Sequence, residues 1–254
     1  MTFDLTGRVA IVTGGNGGIG LGIARGLGQA GASVAIVGRD AGKSEAAVTE
    51  LREAGADAAA FIADLLDQSA VVAMVRAVAE RFGGVDILVA SAGMNTRMRP
   101  EEYTMELWDA IVDTNLGSVF TCCQAVYPMM RQRGGGKIIT IGSMTSIFGF
   151  GVGAAYGASK GAVVQLTKSL AVAWAADNIQ VNCIEPGFID TVLTQQARRD
   201  VAGLEQRVVE RTPAGRWGTP ADVAGAAVFF AGSASDFVTG TALPVDGGYS
   251  SFMA

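Results

Sequence analysis

The chain has 254 residues, 50% of them apolar, with three cysteines, no histidine and a formal net charge of −5. That acidity argues against a nucleic-acid surface. The missing histidine removes Ser-His-Asp and Cys-His nucleophilic mechanisms, and Cys122, Cys123 and Cys183 lack ligand spacing, so no metal is expected.

The length fits one large α/β domain over residues 1–254. Residues 1–7 lack a targeting pattern, and no apolar run approaches the ~18 residues that span a bilayer. Sparse cysteine suits a reducing cytosol, so a cytoplasmic protein with no membrane association is expected. Adjacent Cys122 and Cys123, in a helical pattern, read as buried small apolar residues.

Arg8–Thr13 is a short apolar strand that runs into Gly14-Gly15-Asn16-Gly17-Gly18-Ile19-Gly20. Ile19, Ile23, Leu27 and Ala30 then share a helix face. Strand, glycine loop and helix form a dinucleotide fingerprint, T-G-x-x-x-G-x-G, on Thr13, Gly14, Gly18 and Gly20. Glycine lets backbone approach a pyrophosphate, and the helix start supplies N–H donors.

A second strand, Ser33–Val37, ends at Gly38-Arg39-Asp40. A carboxylate at a strand end holds a ribose 2′-OH, whereas an arginine accommodates a 2′-phosphate. Gly38 offers no carboxylate and Arg39 follows, which favours NADP(H). Asp40 can cap the next helix or hold a ribose, which leaves NAD(H) as the alternative.

Helix 42–54, strand 57–63 and helix 68–82 continue the alternation. Asp64 and Leu65, after the third strand, are placed to flank an adenine. The strand 86–90 ends in Ser91-Ala92-Gly93, where small Ala92 and Gly93 let a cofactor lie close. A long helical region from Glu101 carries Asn115, where a helix break would aim a backbone carbonyl and the Asn amide at a water. Lys137–Gly142 is a fifth strand, and Ser143 sits where it runs out.

Tyr156 and Lys160 are four apart in a helical pattern and share a face. A free phenol has a pKa near ~10. An ammonium about 4 Å away favours the phenolate by roughly 4 kcal/mol at an effective dielectric near 20. That is about 3 pKa units and brings the phenol to ~7, where acid–base work is efficient. Ser143 can hold the oxygen that gains or loses the proton. The plain alternative is a helix-capping serine and two unrelated surface residues.

A sixth strand, 179–184, leads into Glu185-Pro186-Gly187-Phe188-Ile189-Asp190-Thr191. Residues 191–215 are polar and weakly patterned, like a mobile lid. A helix over 222–231 and a last strand over 242–245 follow. The alternation predicts a single-domain Rossmann fold, a doubly wound parallel sheet of about seven strands flanked by helices.

The glycine loop, the S…Y-x-x-x-K set and the Pro186-Gly187 pair resemble the short-chain dehydrogenase/reductase family over residues 5–249. The resemblance implies a catalytic tetrad of Asn115, Ser143, Tyr156 and Lys160. Tyr156 would be the acid/base and Ser143 would hold the carbonyl or hydroxyl. Lys160 would lower the Tyr156 pKa and bind nicotinamide ribose, and Asn115 would hold a water in a proton relay. Pro186, Gly187, the Ile189 backbone and Thr191 would line the nicotinamide end, with the carboxamide on Ile189 and Thr191. The motif Ala90-Ser91-Ala92-Gly93 departs from the family's usual Asn-Asn-Ala-Gly.

Within the family the chain looks most like gluconate 5-dehydrogenases and related sugar dehydrogenases, on residues 3–7, 93–97 and 211–218. Arg97, in the loop after the fourth strand, then becomes a candidate for a substrate carboxylate, alongside Ser143 and Tyr156 for the reacting oxygen. An exposed loop arginine that pairs with Glu101 or Glu102 is the alternative. A 3-oxoacyl-thioester reductase of the same family is the second enzymatic reading. A non-catalytic dinucleotide sensor is the non-enzymatic one. The helices around Asn115 and Tyr156 resemble those that build homotetramers in relatives.

Overall fold

A computed structural model of the chain describes residues 2–252. The apolar runs pair as strands: β1 (Val9–Thr13), β2 (Ser33–Gly38), β3 (Ala58–Ile62), β4 (Ile87–Ala90), β5 (Gly136–Ile141), β6 (Ile179–Pro186) and β7 (Ala242–Val245). They form one seven-stranded sheet in the order β3-β2-β1-β4-β5-β6-β7, and every neighbouring pair is parallel. All residues of β1 and β6 are buried, as helices on both faces of a parallel sheet require.

Side chains alternate between the faces. Val9 and Ile11 enter one core with residues of α3 (Gln68–Phe82), α5 (Ser118–Gln132) and α6 (Ala154–Trp174). Ala10 and Val12 enter the other, with α1 (Gly18–Gln29), α2 (Ala41–Glu53) and α9 (Pro220–Ala231). Cys122 and Cys123 are buried in the first core, and burial raises their thiols, Cys122 to about 12. The chain leaves β1 toward β2 and β3, then returns to β4 on β1's other side. That switch point opens a crevice at the strands' carboxyl ends, where such sheets bind ligands.

The helical region from Glu101 is broken around Asn115: a short turn at Pro100–Glu102 precedes α4 (Met105–Val112), and a π-helical turn, Asp113–Gly117, separates α4 from α5. The weakly patterned polar segment after Thr191 is helical. It folds as α7 (Val192–Asp200) and α8 (Leu204–Arg211), with Thr191 capping α7 and Val208 buried beneath α8. No described helix is long and apolar enough to cross a membrane.

Candidate active site

The glycine loop is shaped by contacts that admit no side chain. Gly14 has φ +64, and a Cβ there would stand 3.0 Å from the Ala92 Cα. Gly18 has φ +52 where α1 begins and faces the Thr191 methyl. Gly20 is buried against Gly14, and Ile19 packs on the second core. The loop, Ala92 and Thr191 thus form one cradle at the switch point, which fits a pyrophosphate laid on the α1 N-terminus. Thr13, whose structural part the sequence did not reveal, closes the cradle. Its hydroxyl accepts from the N–H groups of Ser91 (3.1 Å) and Ala92 (3.2 Å). That bracing joins β1 to the loop in which two asparagines are replaced.

At the end of β2, the Asn16 amide donates to Ser44 Oγ at 3.1 Å and lies against Gly38. Asp40 is committed to capping α2, its carboxylate accepting from the Lys43 N–H at 3.0 Å. Arg39 is exposed, and no hydrogen bond or ion pair engages it among the described residues. Asp64 is exposed and closes a turn onto the Leu66 N–H, while Leu65 packs on the core. Gly187 packs its backbone on Asp246. The Ile189 carbonyl accepts from Thr194 Oγ1 at 2.6 Å.

Ser143 ends β5. Its Oγ accepts from the Thr145 N–H at 3.1 Å, which leaves the hydroxyl proton free to donate. Tyr156 lies in the first turn of α6 and Lys160 one turn on. Lys160 is buried, donates to the Ile141 carbonyl at 2.7 Å and stands 5.7 Å from the Tyr156 ring centre. The structure therefore brings Ser143, Tyr156 and Lys160 together.

The expected electrostatics need correction. Burial raises the Tyr156 phenol above its ordinary value, and the Ser143 hydroxyl only partly offsets this. Burial also pushes Lys160 down to about 8. Desolvation outweighs the Coulomb attraction, and the ammonium is engaged by the Ile141 carbonyl.

Asn115 departs from expectation as well. It is fully buried in the π-helical turn. Its Oδ1 accepts from the Met94 N–H at 2.8 Å, and its Nδ2 donates to the Met94 carbonyl at 2.9 Å and to Ser159 Oγ at 3.1 Å. Both amide protons and one Oδ1 lone pair are engaged, so the side chain clamps the loop after β4 onto α6.

Lys160 gives a stability prediction. Its depressed pKa means that the folded state disfavours the charged amine. Stability is present above the unfolded pKa near ~10.4 and is lost as pH falls through about 8. Lys160→Met therefore loses activity yet melts higher than wild type at pH 7, and its melting temperature no longer rises between pH 8 and 10. Melting curves across pH check this.

Arg97 is exposed, with its guanidinium 5.8 Å from the Phe150 ring centre. The neighbouring Met98 N–H donates to the Val152 carbonyl at 3.0 Å, which ties the Arg97 loop to the start of α6. Arg99, not Arg97, pairs with Glu101, and no ion pair engages Arg97 among the described residues. Arg211, which the sequence reading missed, extends from α8 over Phe148 and Tyr249, at 5.2 and 4.5 Å. Its two partners come from two distant segments, so no local signal marks it.

A parallel sheet with a glycine cradle at its switch point and a Ser/Tyr/Lys cluster beside it defines a dinucleotide-dependent oxidoreductase. The comparisons agree. The family model described as enoyl-(acyl carrier protein) reductase matches residues 14–250. The chain is 42% identical over 249 residues to a 2-dehydro-3-deoxy-D-gluconate 5-dehydrogenase of Dickeya dadantii, covering 98% of this chain and 97% of that one. It is 40% identical to a gluconate 5-dehydrogenase of Gluconobacter oxydans over 246 residues, 97% of this chain and 96% of the relative. A crystal structure of a gluconate 5-dehydrogenase from Burkholderia cenocepacia, in complex with NADP and tartrate, superposes with a TM-score of 0.94 at 40% identity. It covers 99% of this chain and 98% of that one. The chain belongs to the short-chain dehydrogenase/reductase family.

Proposed function

We propose that this chain interconverts a secondary alcohol and a ketone on a sugar acid, with NADP(H) as the redox partner. The observation that carries the reading is the cluster of Ser143, Tyr156 and Lys160 beside the cradle, with unpaired Arg97 anchored to the same helix start. The names of the relatives support the sugar acid over a 3-oxoacyl thioester. The cluster of Ser143, Tyr156 and Lys160 argues against a sensor.

Gly14, Asn16, Gly18, Ile19, Gly20, Ala92 and Gly93 would hold the pyrophosphate and neighbouring ribose. Arg39 would take the 2′-phosphate, Asp64 and Leu65 would flank the adenine, and Lys160, Pro186, Gly187, Ile189 and Thr191 would line the nicotinamide end. The bound nicotinamide supplies hydride transfer. Ser143 donates its free proton to the substrate oxygen and fixes it beside Tyr156. Tyr156 gives that oxygen a proton in reduction and takes one in oxidation. Because burial raises the phenol, Tyr156 is protonated at neutral pH, the form that reduces a ketone. The reductive rate is therefore expected to fall, and the oxidative rate to rise, as pH climbs through the phenol's range. Paired pH profiles of kcat check the sign.

Arg97 takes the substrate carboxylate in a bidentate fork, which lysine does not imitate. Arg97→Lys raises KM for the acid at least ~10-fold and leaves a neutral polyol of similar size little changed. Equal change for both, or none, removes Arg97 from the site. The protein is further assigned to the cytoplasm as a homotetramer. Exposed apolar side chains on α5 (Phe120) and α6 (Val172) suit helix-to-helix packing between subunits.

A further inference from the structure

Phe148-Gly149-Phe150-Gly151-Val152-Gly153 joins Ser143, at the end of β5, to Tyr156 in the first turn of α6. Glycine at every second position leaves this backbone free to change. A Cβ at Gly149 or Gly151 would meet nothing within 4 Å, so neither glycine is there to admit a close neighbour. Backbone ties are sparse. The Phe148 N–H donates to the Met144 carbonyl at 2.9 Å, the Gly153 N–H to the Phe150 carbonyl at 3.1 Å, and the Val152 carbonyl accepts from Met98 at 3.0 Å. A connector this loose would let the reacting groups drift apart, and a misplacement of about 1 Å costs on the order of a hundredfold in rate.

Two guanidiniums stand on the rings of this loop: Arg97 over Phe150, and Arg211 over Phe148 at 5.2 Å. Arg97 is assigned to the substrate, whereas the proposed chemistry does not use Arg211. No ion pair or hydrogen bond engages the Arg211 side chain among the described residues, so the rings are what it holds.

Arg211 is itself anchored outside the loop. It ends α8, and the next residue, Thr212, is buried with its hydroxyl donating to the Val208 carbonyl at 2.6 Å. The Ala214 N–H donates to the Gly247 carbonyl at 3.0 Å, which ties this end of α8 to the turn before Tyr249. The same guanidinium lies 4.5 Å from the Tyr249 ring. Phe148 meets Tyr249 edge-on at 6.3 Å, and Tyr249 lies 5.3 Å from Phe188, just past Gly187. The one large side chain near the start of the loose loop is thus pinned between a cation and a ring that both belong to other segments.

We propose that Arg211 is a positioning residue: stacked on Phe148 and Tyr249, it fixes the glycine-rich loop and so holds Ser143 in its working relation to Tyr156. The inference rests on Ser143 and Tyr156 being the reacting groups.

The test compares Arg211→Met, which keeps length and loses charge, with Arg211→Lys, which keeps a cation for the rings. With NADPH and 5-keto-D-gluconate, Arg211→Met loses roughly two- to thirtyfold in kcat, the range of a cation on an aromatic face, at unchanged NADPH affinity. Arg211→Lys keeps most of the wild-type kcat. A neutral keto sugar loses by the same factor as the acid in Arg211→Met, because the loop serves both. Phe148→Leu removes the ring, so adding Arg211→Met to it costs little more. A loss confined to the acid, with Arg211→Lys as slow as Arg211→Met, overturns the proposal and makes Arg211 a carboxylate ligand. Losses that multiply in the double variant, or no loss at all, overturn it too.

Hydrogen exchange read by mass spectrometry gives a measure independent of turnover. Amides of residues 147–153 exchange at least ~2-fold faster in Arg211→Met than in wild type, and Arg211→Lys restores the slower rate. Equal exchange in all three proteins overturns the proposal. Should wild type leave 5-keto-D-gluconate untouched, the substrate reading fails and the exchange rates still decide this one.

Discussion

Tyr156→Phe is expected to lose at least ~10²-fold in kcat, the usual range for a positioned acid–base group, while NADPH still binds. Phenylalanine keeps the ring that packs in the first turn of α6 and removes only the hydroxyl. Asn115 and Ser159 brace α6 through the Ser159–Tyr156 backbone contact at 2.8 Å, so the helix stays in place. Ser143 keeps its own proton and still holds the substrate oxygen. What disappears is the group that moves a proton, so the loss falls on kcat rather than KM. Near-normal turnover by a folded Tyr156→Phe protein would end the assignment.

Arg39→Ala is expected to weaken NADP(H) binding about ten- to a hundredfold and to leave NAD(H) nearly unaffected. A charge-assisted hydrogen bond contributes roughly 1.5–3 kcal/mol. Arg39 is free of internal partners, whereas the neighbouring carboxylate is already used: Asp40 caps α2 through Lys43. Lys43 lies 3.9 Å from Asp40 and further occupies it. A ribose-binding role for Asp40 would sacrifice that cap. Fluorescence titration of both cofactors decides. If the wild type binds NAD as tightly as NADP, or the ratio survives Arg39→Ala, Asp40 is the better account.

Much of this was legible from residue order. Parallel strands buried on both faces are continuous apolar runs between glycines and turns, so β1 through β7 were visible within a residue or two, and α3 matched at both ends. The Ser143, Tyr156 and Lys160 cluster was legible because each residue sits at a fixed offset from a strand end or helix turn. A helix break at Asn115 was anticipated, but its π-helical form over Asp113–Gly117 was not, because those residues continue a helical pattern. The clamping contacts of Asn115 depend on Met94, 21 residues away, and on Ser159, 44 residues away. The sign of the Tyr156 shift was misjudged because a Coulomb estimate contains no burial. The helices after Thr191 escaped because Val208 is a lone buried residue in a charged run.

The central claim is that Tyr156 and Ser143 drive ketone–alcohol exchange on a substrate with a carboxylate. The most direct test follows nicotinamide absorbance as purified protein meets a matched set of ketones: 5-keto-D-gluconate, a neutral keto sugar of similar size and acetoacetyl thioester. The account predicts rapid NADPH oxidation with the sugar acid, a kcat/KM at least ~10-fold lower for the neutral sugar, and little with the thioester. Turnover of the thioester with the sugar acid left untouched would contradict it.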